Sequence, residues 1–274
     1  MHGVVSALAS NLNPAAAKAE RLAALRLTLA KLETVPLSDE RGGAALSLGD
    51  LDRHLPGAGL PCGVLNEITA THADRPAAFG FAFALAAIAQ RARPGPAVLV
   101  ATRRALRDFG QPYGPGLVQL GLDVDRLILV ETANDKDALW AIEETLRADA
   151  GAAIVAAAIA GSLDLTTGRR LNLAAAHNRT PLALLSFGAD PAGPAATRWR
   201  IASQPAARDR FGAFLHARWS AALERCRNGR PGHWLIEWNH VAHRFRVVEG
   251  LADRARPAQR DAPRGELAQL RRAG

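Results

Sequence analysis

From Gly63 to about Phe187 the chain moves between two hydrophobic rhythms. Short continuous apolar runs bounded by Gly, Pro or polar turns read as buried strands. Apolar positions three or four apart read as helices packed on them. Residues 64–70 form the first such strand. A polar loop leads into a helix over 77–91, with Asp74 placed to cap it and Pro76 in its first turn. Strands follow at 97–102 (AVLVAT), at 127–130 (LILV), at 152–159 between Gly151 and Gly161, and at 181–187 (PLALLSF). Helices fall between them at 136–147, where Leu139, Ile142 and Leu146 share a side, and at 165–178. Strands regularly separated by helices imply an α/β fold with a mostly parallel sheet and right-handed crossovers.

The flanks read differently. Residues 15–33 form an amphipathic helix whose stripe is Leu22, Leu25, Leu29 and Leu32, with Lys18, Arg21, Arg26 and Lys31 elsewhere on the wheel. A lone helix must bury such a stripe on its own domain, on a partner or on another copy of the chain. Pro36 and the Gly42-Gly43 pair separate this helix from the α/β pattern. Further on, 197–202 (TRWRIA) and 234–248 are expected as edge or appended strands, with a helix over 211–227 between them. After Gly250 the chain is rich in Arg, Ala and Pro, and poor order is expected there. The plan is an N-terminal helix and linker (1–44), a core (45–205), a small helix/strand extension (206–250) and a basic tail (251–274).

Composition narrows the class. With 49% hydrophobic and 22% charged residues the chain reads as globular. The apolar stretches at 77–89 and 150–160 are mostly alanine and too short to cross a bilayer. The first residues lack a basic segment ahead of an apolar one. Neither anchor nor signal peptide is expected, and the cytoplasm is the default. Cys62 and Cys226 make neither a disulfide framework nor a metal-binding spacing. Charge is unevenly spread: residues 198–274 hold 16 Arg against 7 Asp and Glu, a net of +9, whereas the rest of the chain is near neutral. An acidic partner, nucleic acid or protein, would match that excess, and so would a solvated Arg-rich tail.

Over 45–205 the order of elements resembles the core of RecA recombinases. The segments YGPGLVQLGLDVDRLILVETANDKDALWAIEETLR, LDLTTGRRLNLAA and PAATRWRI are similar to the ImuA family. This resemblance implies a RecA-like core and a role as accessory in SOS-induced, error-prone translesion DNA repair. It implies as partners an ImuB-like, polymerase-related protein and an error-prone DNA polymerase, with DNA touched directly or through them. Such a protein would be cytoplasmic, and nucleoid-associated when DNA is damaged.

A working phosphate loop needs G-x-x-x-x-G-K-[ST], whose backbone amides wrap the phosphates while Lys and Ser/Thr supply charge and a metal ligand. The chain contains no such window. Alignment with RecA-like strands puts 70–77 (ATHADRPA) in its place, with Ala70 and Arg75 for the glycines, Pro76 for Lys and Ala77 for Ser/Thr. Asp74 would repel a triphosphate. Ala157 stands where the metal-holding Asp is expected, and Arg103 where the water-activating Glu is. The resemblance therefore implies a non-catalytic protein with no cofactor. Arg75 leaves a weak anion site open, and a divergent DNA-dependent ATPase or recombinase and a RecA-related cell-division inhibitor are the alternatives.

For contact with nucleic acid or a partner the candidates are Arg169 and Arg170, which follow the central strand (152–159), and Arg198, Trp199 and Arg200, which follow the next strand (181–187). In RecA-like proteins the loops after these two strands face the DNA. The arginines would meet phosphates and the tryptophan a base. The alternative is that Thr197, Trp199 and Ile201 alternate inward and leave Arg198 and Arg200 in solvent. His233, His240 and His243, near Cys226, are read as ordinary surface histidines, and Glu143-Glu144 as a solvated helix face.

Overall fold

A computed structural model describes residues 45–148, 151–186 and 193–250. The leucine stripe of 15–33 and the basic tail of 251–274 lie outside the described residues. Two short strands, β1 (Ala45–Leu46) and β2 (Leu60–Pro61), pair antiparallel. The other described strands form one nine-stranded sheet. Its parallel part contains β3 (Leu65–Thr69), β4 (Ala97–Thr102), β5 (Leu127–Thr132), β6 (Ile154–Ala158), β7 (Leu182–Leu185) and β8 (Thr197–Arg208). Antiparallel strands β9 (Phe214–Cys226), β10 (Gly232–Asn239) and β11 (Arg244–Gly250) extend it. Across the sheet the order is β5-β4-β6-β7-β3-β8-β9-β10-β11. This large, mostly parallel mixed sheet with its helices is compatible with a RecA-like fold.

Helices lie on both faces of the parallel part. Helix α1 (Arg75–Ala92) begins two residues before the expected start, and the short helices α2 (Arg103–Phe109) and α3 (Gly114–Gln119) follow β4. Phe81, Leu85 and their neighbours on α1 pack against Leu99, Ala156 and Leu185. Helices α4 (Asp135–Arg147) and α5 (Leu165–His177) take the opposite face, where Ala138, Ile142, Leu171 and Ala175 meet Val98, Val155 and Leu184. Consecutive residues such as Val98 and Leu99 thus enter different cores, which is why these strands read as unbroken apolar runs.

Two expectations are corrected. The segment 211–227 holds strand β9 (Phe214–Cys226), not a helix. Ala, Leu, Glu and Arg favour a helix there, but Trp219, Ala221 and Leu223 alternate inward and the segment pairs along both sides, with β8 and β10. Residues 234–248 are not one strand but the β10–β11 hairpin, turned at 240–243. The inward residues of these strands build an aromatic core beneath α1. Phe81 stacks on Phe245 with centroids 5.1 Å apart, and Trp238 meets Phe245 edge-on at 5.1 Å.

Candidate functional site

In open α/β sheets ligands bind beyond the C-terminal ends of the parallel strands. That edge carries the loop after β3, the β4–α2 junction, the loop after β6, Ser186 after β7 and the outer length of β8.

After β3 the chain makes a single 3-10 turn, His72–Asp74, and enters α1. Asp74 does not cap the helix with its side chain, as expected of it. Its carboxylate accepts hydrogen bonds from the Thr71 hydroxyl (2.6 Å) and from the backbone N–H and hydroxyl of Ser203 on β8 (both 2.9 Å). Partial burial pushes this carboxyl's pKa up, but the bonds from Thr71 and Ser203 outweigh it and hold it below the usual value. The side chain that would repel a phosphate is thus tied into the sheet.

The neighbouring positions are engaged in the same manner. Arg75 donates to Asp108 on α2 at 2.8 Å, with the Arg75 side chain only 17% exposed. Pro76 offers no N–H to a phosphate, and the carbonyl of Ala77 accepts from the indole of Trp219 at 3.1 Å. Ala70 packs partly buried against the α1-side core. Arg103, first residue of α2, pairs with Glu131 of β5 at 2.7 Å. After β6 the backbone N–H groups of Ala160 and Gly161 donate to the carboxylate of Asp135 at 3.0 and 2.8 Å. Ala157 is fully buried in the core beneath α4 and α5. Around this edge, carboxylates of the chain itself occupy amides and guanidinium groups that could otherwise attract an anion.

Below the edge lies a buried polar seam between β3 and β8. Glu67 accepts from the hydroxyl of Ser186 (2.5 Å) and from Arg198 Nε (2.7 Å), and both charged side chains are about nine-tenths buried. Next to it, Thr197 donates to the side-chain carbonyl of Asn66 at 2.8 Å and accepts from the Trp199 indole at 3.2 Å. Sequence reasoning passed over Glu67 and Ser186. The available signal was one acid inside the strand LNEIT and two bases inside TRWRI, opposite charges in two otherwise apolar or neutral runs.

The candidate polymer-contact residues are distributed among different partners. Trp199 is fully buried between Phe81 and Trp234 and has no face to offer a base, because its strand turns alternate residues onto α1. Arg198 is neither solvated nor available to phosphate, being held by Glu67. Arg200 pairs with Glu224 of β9 and is partly exposed. Arg169 and Arg170 belong to the body of α5 rather than to a loop; Arg169 is exposed, and Arg170 pairs with Glu143 of α4. Glu143, expected in solvent, is buried and also takes Arg147. His240 and His243, in the hairpin turn, direct Nδ1 at the carbonyls of Gln119 (3.1 Å) and Leu120 (3.2 Å), which ties the turn to α3.

No family model matches the chain. It is 38% identical over 228 residues to protein ImuA of Caulobacter vibrioides, in each of two strains; the match takes in 76% of this chain and 90% of that protein. At that identity and coverage, the chain belongs to the ImuA family.

Proposed function

We propose that this chain is a RecA-like core of phosphate-loop ancestry that has lost nucleotide chemistry and works as a non-catalytic accessory of SOS-induced, error-prone translesion repair. It docks an ImuB-like, polymerase-related protein together with an error-prone DNA polymerase, in the cytoplasm and at the nucleoid when DNA is damaged. The observation that carries this reading is the Asp74 carboxylate, bonded to Ser203 and Thr71 where a phosphate loop would hold its anion. A triphosphate arriving there would meet that negative charge, Pro76 in place of Lys and Ala77 in place of the metal-ligating hydroxyl. Membership of the ImuA family supports the link to mutagenic repair. A docking protein also needs uncommitted surface. The edge strand β5 exposes Ile128 (48%) and Leu129 (45%), and α4 exposes Trp140 (65%).

The test is calorimetric titration of the purified chain with Mg·ATP, followed by copurification with an ImuB-like partner. No heat with nucleotide and a stable complex with the partner are expected. Micromolar ATP binding would overturn the non-catalytic reading, and failure to form the complex would overturn the docking role.

A further inference from the structure

The longest strand pair leaves the body of the sheet. β8 pairs with β3 only from Thr197 to Arg200. Beyond Arg200 it is paired with β9 and no longer with β3. Opposite 201–204 β9 still pairs with β10, and past that point 205–208 and 214–217 run on as a two-stranded arm. The arm closes in a tight turn organised by Asp209, whose carboxylate accepts from the backbone N–H groups of Phe211 (2.8 Å) and Ala213 (2.9 Å). At its tip Phe211 and Phe214 are 80% and 71% exposed. Each ring carries a guanidinium on one face: Arg208 lies 4.2 Å from the Phe214 centroid and Arg210 4.7 Å from that of Phe211.

We infer that this tip is a binding site for single-stranded nucleic acid. Three features converge on that ligand. Two phenyl rings in solvent, each backed by a cation, offer flat surfaces on which bases stack without regard to sequence. The two arginines stand where a phosphate backbone flanking stacked bases would pass. The one carboxylate of the tip, Asp209, is turned inward onto backbone amides. The last 77 residues, with their net charge of +9, favour a polyanion as well. Three apolar side chains (Phe211, Phe214 and Leu215) on a narrow hairpin offer little to a lipid surface. The four residues Arg208, Arg210, Phe211 and Phe214 are distinct from Arg198, Trp199 and Arg200, whose side chains the fold consumes. This site goes beyond the accessory role and does not depend on it.

The experiment follows fluorescence anisotropy of a labelled oligo-dT 20-mer titrated with the full chain over a series of salt concentrations. Phe211→Ala with Phe214→Ala is expected to weaken binding by about tenfold or more, and Phe211→Tyr with Phe214→Tyr to retain it. Arg208→Ala with Arg210→Ala is expected to lower the slope of log K against log salt by about 1.4, two phosphate contacts on a single strand. All variants sit in solvent and should keep the parent's melting temperature. No binding by the parent chain, or binding unchanged in both alanine pairs, would overturn the proposal. If the alanine pairs lose an ImuB-like partner instead, the tip is a protein contact and the nucleic-acid site is rejected. Neither result touches the nucleotide-free reading, which rests on ATP titration.

Discussion

The inner parallel strands and the antiparallel strands of this sheet solve the same burial problem with different side chains. Every residue of β4, β6 and β7 is buried, because α1 presses on one face and α4 with α5 on the other. Space between close-packed layers is filled there by Ala, Val and Leu. β9, β10 and β11 meet a core on one face only. They fill it with Trp219, Trp234, Trp238 and Phe245, and turn Arg218, Glu237 and Arg246 to the other. On that second face the charges pair across strands, Glu237 with both arginines. A strand covered on both faces admits a charge only where a neighbouring strand pairs it in the interior, as Arg198 pairs Glu67, whereas a one-sided strand has a place for one at every second residue.

Neighbouring residues in β6 and β11 break or sharpen this contrast most strongly. Ala156 and Ala157 face opposite cores, so Ala156→Glu and Ala157→Glu should each abolish soluble, folded protein, since an unpaired buried charge costs several kcal/mol. In β11, Phe245→Glu should do the same, while Arg246→Glu should cost about 1 kcal/mol or less in urea unfolding. Equal tolerance of the two β6 variants and the β11 surface variant would dissolve the distinction.

The seam between the halves comes next. Glu67→Ala removes the carboxylate that Arg198 Nε bonds in the interior and should cost about 3–5 kcal/mol. Replacing both by Met should recover most of that, and a double variant as unstable as the single one would mean that packing, not the lost partner, sets the cost.

The smallest effect is expected where Asp74 braces the arm. Asp74→Asn should cost about 1 kcal/mol and speed amide exchange over 201–208, measured relative to intrinsic rates. The folded-state pKa of Asp74 is lowered, so its contribution is present above its unfolded value of about 4 and fades as pH falls through the folded one. Protection of the arm should therefore drop in acid in the parent chain and not in the variant.

The parallel half is legible in the sequence because two-sided burial writes itself as unbroken apolar runs, and the strands AVLVAT and LALL fall within those runs. The antiparallel half is harder. FGAFLHARWSAALERC satisfies a helix by composition, and its only period-two mark is Trp219, Ala221 and Leu223 set against Arg218, Ser220 and Ala222. At the strand ends the absence of Lys and Ser/Thr at Pro76 and Ala77 is readable directly. The partners of Asp74, Arg75 and Arg198 are not, for they lie 129, 33 and 131 residues away in sequence. Charge spacing along a chain does not say which distant carboxylate an arginine meets. The arm escapes sequence reasoning because its exposed phenylalanines sit in the segment whose composition favours a helix.

One strand, β8, runs from the centre of the molecule to its extremity. Trp199 is locked in the core and Arg208 lies nine residues on, about 30 Å along an extended chain. Ser203, held by Asp74, is the last point at which β8 is fastened to the rest of the body. The irregularities in pairing with β9 all lie on the far side of it, between Gln204 and Arg208, apart from one at Arg198. Mechanically the arm is a lever with its fulcrum at Ser203 and a wrist beyond. Load applied at the tip is borne in shear by the β8–β9 ladder before it reaches Glu67 and Arg198, while the bulged wrist sets the direction in which the phenylalanines point.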